Sequence, residues 1–215
     1  MAVVPAAGHT RHMECRWSAM ELELVCVRHG TTKWNKEKRY LGHTDIGILP
    51  ESLTKLMPVK KVLEGRTFRK VYCSDLKRCR ETLDWIYPSS TDRAVFDRRL
   101  REMDFGEWEG QTYDQLRHSE VYREWLDNPQ SVTPPGGEAW AHFQGRLTDF
   151  MNSLTALAQA ESKDNRVLVV THGGVIRQLA AMTISGSAFW DFSADPGSLF
   201  TLKLTFEGGK WIGHL

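Results

Sequence analysis

Two stretches decide the fold: Leu22-Glu23-Leu24-Val25-Cys26-Val27-Arg28-His29-Gly30, and Arg166-Val167-Leu168-Val169-Val170-Thr171-His172-Gly173-Gly174. Each opens with a short aliphatic run rich in valine, too short for a core helix, and each stops at a histidine followed by glycine. Both read as buried strands that deliver a histidine to one edge of a sheet. Gly30 and Gly173-Gly174 let main chain approach a ligand closely there. A helix predicted over 174–184 aims its free N–H groups and positive dipole end at the same place, which favours an anion.

Working outward, Lys70-Val71-Tyr72-Cys73 is a further strand, and Ser74 is placed to cap a helix running to about Ile86. Ala94-Val95-Phe96 is a third short strand, and residues 53–64 are weakly helical around Pro58. Phe143, Leu147, Phe150, Met151, Leu154 and Leu157 recur at three- and four-residue steps, the pattern of one face of a long helix starting near Glu138. Leu199 to Phe206 and Lys210 to Ile212, split by Gly208-Gly209, form a terminal hairpin. Strands alternating with helices predict an α/β fold, a three-layer α/β/α sandwich with a mostly parallel central sheet. Ligands then bind beyond the carboxyl ends of the strands. Residues 104–137 are aromatic, mixed in charge and closed by Pro134-Pro135-Gly136-Gly137; they read as a small helical lid with short helices near 112–127. Residues 21–215 thus form one domain, preceded by an N-terminal extension, 1–20, expected to be disordered.

Composition narrows the function classes. Lys plus Arg is 28 and Asp plus Glu is 27 in 215 residues, a net charge of +1, which argues against a nucleic-acid or anionic-membrane coat. No apolar run approaches the roughly 20 residues that span a bilayer. The four cysteines form no CxxC and no framework, so reduced thiols and a cytoplasmic location are expected.

Taken singly, a histidine after a strand is more often structural than catalytic. Here two of them share a sheet edge with Arg28, whose planar fork suits a phosphate, and Arg78 reaches that edge if strands 22–27 and 70–73 lie near one another. Two arginines, two histidines and helix N-termini together suit a dianion. An acid is expected within Arg101-Glu102-Met103-Asp104-Phe105-Gly106-Glu107-Trp108-Glu109-Gly110. Glu102 comes first after the strand, where Met103, Phe105 and Trp108 could favour its protonated form by desolvation; sequence alone does not separate it from Glu107 or Glu109.

These segments resemble the histidine phosphatase superfamily, in its phosphoglycerate-mutase-like branch. The resemblance runs in order through Val27-Arg28-His29-Gly30-Thr31-Thr32-Lys33-Trp34-Asn35, Tyr40-Leu41-Gly42-His43-Thr44-Asp45, Ser74-Asp75-Leu76-Lys77-Arg78-Cys79-Arg80-Glu81-Thr82, the Leu100–Gly110 stretch, Pro135-Gly136-Gly137-Glu138 and Val170-Thr171-His172-Gly173-Gly174. It implies that His29 attacks phosphorus and carries a transient phosphoryl group. Arg28, Arg78 and His172 would hold the equatorial oxygens, with Asn35 a further pocket donor and Gly173 a close backbone contact. Glu102 would protonate the leaving group and then activate water. No metal and no cofactor are called for. Ile48–Thr54, Cys79, Leu83 and Ala139 depart from the family pattern at packing positions or the pocket rim.

The segment between Gly110 and Pro134 lacks the longer basic insertion of the mutases, which favours a phosphatase. With Phe189-Trp190-Asp191-Phe192 and Gly197-Ser198, the chain looks most like the α-ribazole-phosphate phosphatases of cobalamin assembly. The alternative is a broad-specificity phosphatase or mutase-like enzyme acting on phosphoglycerate or sugar phosphates. The expected partner is a small phosphomonoester, with no nucleic acid and no membrane, and the protein a monomer or homodimer. A silent phospholigand-binding module would lack His29 or Glu102, and both are present. A metal hydrolase built on His29, His43, His172 and Asp45 fits no familiar ligand spacing, and the neighbouring Arg28 would repel a cation.

Overall fold

The computed structural model describes residues 20–160 and 164–215. The expectation for the N-terminal extension, and Cys15 with it, lies outside the described residues but for Met20. In chain order the elements are β1 (Met20–Arg28), α1 (Lys33–Lys36), α2 (Ser52–Leu63), β2 (Lys70–Cys73), α3 (Lys77–Ile86), β3 (Val95–Phe96), α4 (Tyr113–Leu116), α5 (Glu120–Asp127), α6 (Trp140–Gln159), β4 (Arg166–Thr171), α7 (Gly173–Thr183), β5 (Leu199–Glu207) and β6 (Lys210–His214).

The strands form one sheet in the order β3-β2-β4-β1-β5-β6. β3, β2, β4 and β1 run parallel, while β5 and β6 continue antiparallel from β1. Side-chain alternation splits the apolar residues of the central strands between two faces. Leu22, Leu24, Cys26, Val167 and Val169 pack under α6 and α7. Val25, Val27, Leu168 and Val170 pack under α2 and α3. This is the three-layer sandwich that the alternating pattern implies. Pro58 sits inside α2, whose buried Leu56, Val59 and Leu63 keep the helix docked across the missing N–H. Among the described residues, no helix is long and apolar enough to cross a membrane.

Two sequence expectations need correction. Ser74 does not cap α3: the N-cap is Leu76 and makes no side-chain cap bond. The Ser74 hydroxyl lies instead 2.8 Å from Nε2 of His172. The long helix begins at Trp140 rather than Glu138: Ala139 is its extended N-cap, and Glu138 N is bonded to the Asp104 carbonyl at 2.9 Å.

Residues 104–137 stand outside the sheet. Trp108, Leu116, Tyr122 and Trp125 bury one another in a separate aromatic cluster, and Tyr40 and Phe105 pack against it. Thr112 caps α4 in a capping box with Gln115, and Ser119 caps α5.

Candidate active site

β1 and β4 are neighbours in parallel register, Arg28 opposite Thr171. Each strand then releases its histidine at the same level, and the two rings meet with centroids 5.1 Å apart. The turn after His29 is tied down by its own main chain. Gly30 N donates to Thr82 Oγ1 at 3.0 Å and Thr31 N to Ser52 Oγ at 2.6 Å. A Cβ at Gly30 would overlap Ser52 Oγ, so glycine is required by the close approach of α2.

The tautomer of His29 follows from its partner. Nδ1 lies 2.8 Å from the Gly30 carbonyl, which can only accept, so Nδ1 carries the proton and Nε2 keeps a free lone pair. Burial first, then the guanidinium groups of Arg78 and Arg28, hold His29 well below the ordinary histidine range. His29 is 3% exposed, and Arg78 and His172 are fully buried behind it.

Arg78 is fixed on every side. Nε donates to His172 Nδ1 at 3.3 Å, Nη1 to the Thr44 carbonyl at 2.9 Å and Nη2 to the Gly42 carbonyl at 2.6 Å. Because Nε–H can only donate, Nδ1 of His172 is the bare nitrogen, and its Nε2–H donates to Ser74. Both ring nitrogens of His172 therefore have protein partners. Burial, Arg78 and His29 keep this ring neutral as well, well below the ordinary histidine range. Arg28 donates through Nη1 to the Ala194 carbonyl at 2.6 Å, while its buried Nε has no hydrogen-bond partner among the described residues. A buried, unpaired guanidinium N–H is costly unless an anion completes it.

Glu102 is the acid that meets this cluster. Its Oε2 accepts from Gly174 N at 2.9 Å and its Oε1 from Met103 N at 3.1 Å. The structure thus sets the carboxyl on backbone donors at the start of α7 rather than in the purely apolar setting that its neighbours suggest. The other acids are engaged elsewhere or solvated. Glu109 binds the N–H groups of His43 and Thr44 at 2.6 and 2.7 Å, Asp104 faces His43 and Gly106, and Glu107 and Asp114 are exposed. Of the remaining metal-set candidates, His43 faces Asp104 and Asp45 accepts from Lys77 N.

Asn35 is not brought into this cluster by its oxygen. Its Oδ1 accepts from the N–H and hydroxyl of Thr32, and the residue lines a separate hollow beside Tyr113 and Tyr122. Sequence reasoning missed two groups. Ser74 orients His172, and Gly174 both donates to Glu102 and must lack a side chain, since a Cβ there would overlap Glu102 Oε1. The glycine pair itself was the available signal for the second.

From Arg28, Glu102, Gly173 and Gly174 a cavity of about 330 Å³ opens outward between Tyr40, Phe105, Trp125, Trp140, Phe143, Phe189 and Trp190. Arg177 lies on its wall, its guanidinium 5.8 Å from the Phe189 ring and 5.7 Å from the Trp190 ring.

Two neutral histidines and two guanidinium groups at the carboxyl edge of the parallel strands of a mixed sheet suit an enzyme of phosphoryl transfer. Comparison with known sequences makes this specific: the profile of the histidine phosphatase superfamily (branch 1) matches residues 24–214, and the chain belongs to that family. It is 28% identical over 180 residues to the adenosylcobalamin/alpha-ribazole phosphatase of Salmonella typhimurium, covering 82% of this chain and 87% of that one. It is 35% identical over 162 residues to phosphoglycerate mutase-like protein 4 of Arabidopsis thaliana, covering 73% and 69%. The crystal structure of the alpha-ribazole phosphatase from Shigella flexneri shares the fold, with a TM-score of 0.76 at 24% identity over 90% of this chain and 95% of that one.

Proposed function

We propose that the protein is a phosphomonoesterase that works through a phosphohistidine, with α-ribazole 5′-phosphate as its substrate. The observation that carries the chemistry is the bare Nε2 of His29, neutral by burial between two arginines. In the first step the Nε2 lone pair forms the P–N bond in line as the ester P–O bond breaks. The leaving oxygen takes its electron pair and the proton of Glu102. In the second step water gives a proton back to Glu102 and attacks phosphorus, and the P–N electron pair returns to Nε2. Arg28, through its unpartnered Nε, and Arg78 hold the equatorial oxygens, while His172 and Ser74 stand behind Arg78 as its support.

The aromatic cavity supports a leaving group larger than glycerate: Trp125, Trp140, Phe189 and Trp190 offer ring faces and edges to a base and a ribose. The names of the Salmonella and Shigella relatives agree with that choice. Arg177 favours a second reading, in which a carboxylate-bearing ester such as 3-phosphoglycerate is hydrolysed.

The test is a steady-state comparison of α-ribazole 5′-phosphate, 3-phosphoglycerate, phosphoserine and sugar phosphates, with and without chelator. Acid-labile, alkali-stable labelling of the protein is followed with the best of them. The highest kcat/KM for α-ribazole 5′-phosphate, with labelling lost in His29→Ala, supports the proposal. A preference for 3-phosphoglycerate moves the substrate to the second reading, and labelling that survives in His29→Ala ends the covalent scheme.

A further inference from the structure

Arg146, on α6, uses its guanidinium in an unusual way for a residue only 17% exposed. Nε and Nη2 fork onto the Glu138 carboxylate at 2.7 and 2.8 Å. Nη1 donates to the carbonyls of Arg99 and Arg101, each at 2.6 Å, and Nη2 to the carbonyl of Glu102 at 2.9 Å. These five bonds match the five N–H donors of a guanidinium, whose fork is rigid. Three of them end on the main chain that presents Glu102.

That main chain is held by turn bonds and side chains rather than by a regular element. After the short turn Arg98–Leu100 it belongs to no helix or strand. Its other anchors begin with the turn bonds of Leu100 N to the Asp97 carbonyl and Arg101 N to the Arg98 carbonyl, each at 3.1 Å. To these are added the Arg101–Asp75 ion pair, Thr171 Oγ1 on the Leu100 carbonyl at 2.8 Å, and His43 Nε2 at 3.0 Å from the Glu102 carbonyl. Of these only the last acts on residue 102 itself. One planar group thus meets three backbone acceptors in a single four-residue segment, and the last of them is the carbonyl of Glu102 itself. Glu138 satisfies the charge and sets the plane of the fork, so the carbonyls of 99, 101 and 102 are gripped in one geometry.

We propose that Arg146 is a positioning residue for the general acid. Through the carbonyls of 99–102 it holds the Glu102 carboxyl against Gly174 N, within reach of the leaving oxygen, and Glu138 orients it. The inference rests on the reading of Glu102 as the acid. A displacement of about 1 Å at a reacting group can cost on the order of 100-fold in rate.

The test compares two esters in Arg146→Met, Glu102→Gln and the double variant. Glycerol 2-phosphate needs its leaving alkoxide protonated, and p-nitrophenyl phosphate needs little protonation. In Arg146→Met, kcat on glycerol 2-phosphate should fall about 10- to 100-fold with KM little changed. On p-nitrophenyl phosphate kcat should stay within about threefold, because nitrophenolate leaves without help. Added to Glu102→Gln, Arg146→Met should cost nothing further on glycerol 2-phosphate, since the two act as one unit. Equal losses on both esters, or additive losses in the double variant, overturn the proposal and leave Arg146 a support of the fold. If Arg146→Met does not fold, Glu138→Gln carries the same test, with a smaller loss in the same direction expected and an unselective one overturning. Equal losses in Glu102→Gln itself would remove Glu102 as the acid. Selective loss there with unselective loss in Arg146→Met would sink this inference alone.

Discussion

At the phosphate end of the cavity the polar groups are tied to the protein by short polar bonds, whether they stand at a strand end, a helix start or, for Glu102, on a turn: His29 to Gly30, Arg78 to Gly42, Thr44 and His172, Glu102 to Gly174. At the far end the walls are rings meeting edge to face, such as Trp140 with Phe189 and Phe189 with Trp190, and Trp190 is 66% exposed. The contrast separates two tasks. Stabilising a spreading charge needs dipoles that do not reorganise during the reaction. Recognising a leaving group needs area and shape, which ring walls supply with looser placement. Change at the first end should strike kcat, and change at the second KM.

The most severe way to test that division is His29→Ala, which removes the only nucleophile assigned to the cluster. We expect p-nitrophenyl phosphate turnover to fall by about 10⁴-fold or more, as removal of an activated nucleophile does elsewhere; a steady-state assay on the folded variant checks it. Gly174→Ala comes next. Its Cβ would meet Glu102 Oε1, so the carboxyl must move. A loss of about 100-fold on alkyl esters, with a smaller one on the nitrophenyl ester, is expected from the leaving-group dependence of the rate.

Acid stability tests the phosphate end without substrate. Both histidines have folded-state values well below the ordinary 6.5. Below about pH 6.5 the unfolded chain therefore binds more protons than the folded one. Their neutral burial costs nothing above that pH, and stability falls as pH drops from 6.5 toward the folded values. The slope approaches roughly 1.4 kcal/mol per pH unit for each ring. Thermal melts at pH 7.5, 6.5 and 5.5 should show it, and His29→Asn should lose its share of the slope. The smallest effect is expected at the far end. Trp190→Ala should raise KM for an aromatic-bearing ester by about 1 kcal/mol, roughly fivefold, and leave kcat on p-nitrophenyl phosphate unchanged.

The sequence carried the strands and both histidines because their signal is local: a short apolar run, a stop, a glycine. The terminal hairpin at Gly208-Gly209 was legible for the same reason. Ser74 was misread because a serine before a helix matches a cap locally, while its actual partner, His172, is 98 residues away. Glu102, Glu107 and Glu109 have similar neighbours in sequence. What separates them is whose N–H each meets: Gly174 for Glu102 and the His43-Thr44 turn for Glu109. Arg146 could not be singled out at all, since three of its acceptors are carbonyls, which every residue has.

The pairing of Arg28 with Thr171 across two adjacent inner strands has a consequence for how the protein loses activity. Interior strands of a sheet tend to open late, so the imidazole pair should be released with the global transition, whereas Glu102 depends on a turn outside the sheet that local fluctuations should reach earlier. As urea rises, hydrolysis of esters that need a proton donor should fade ahead of the main unfolding transition. Phosphorylation by an activated ester should persist until the sheet itself comes apart.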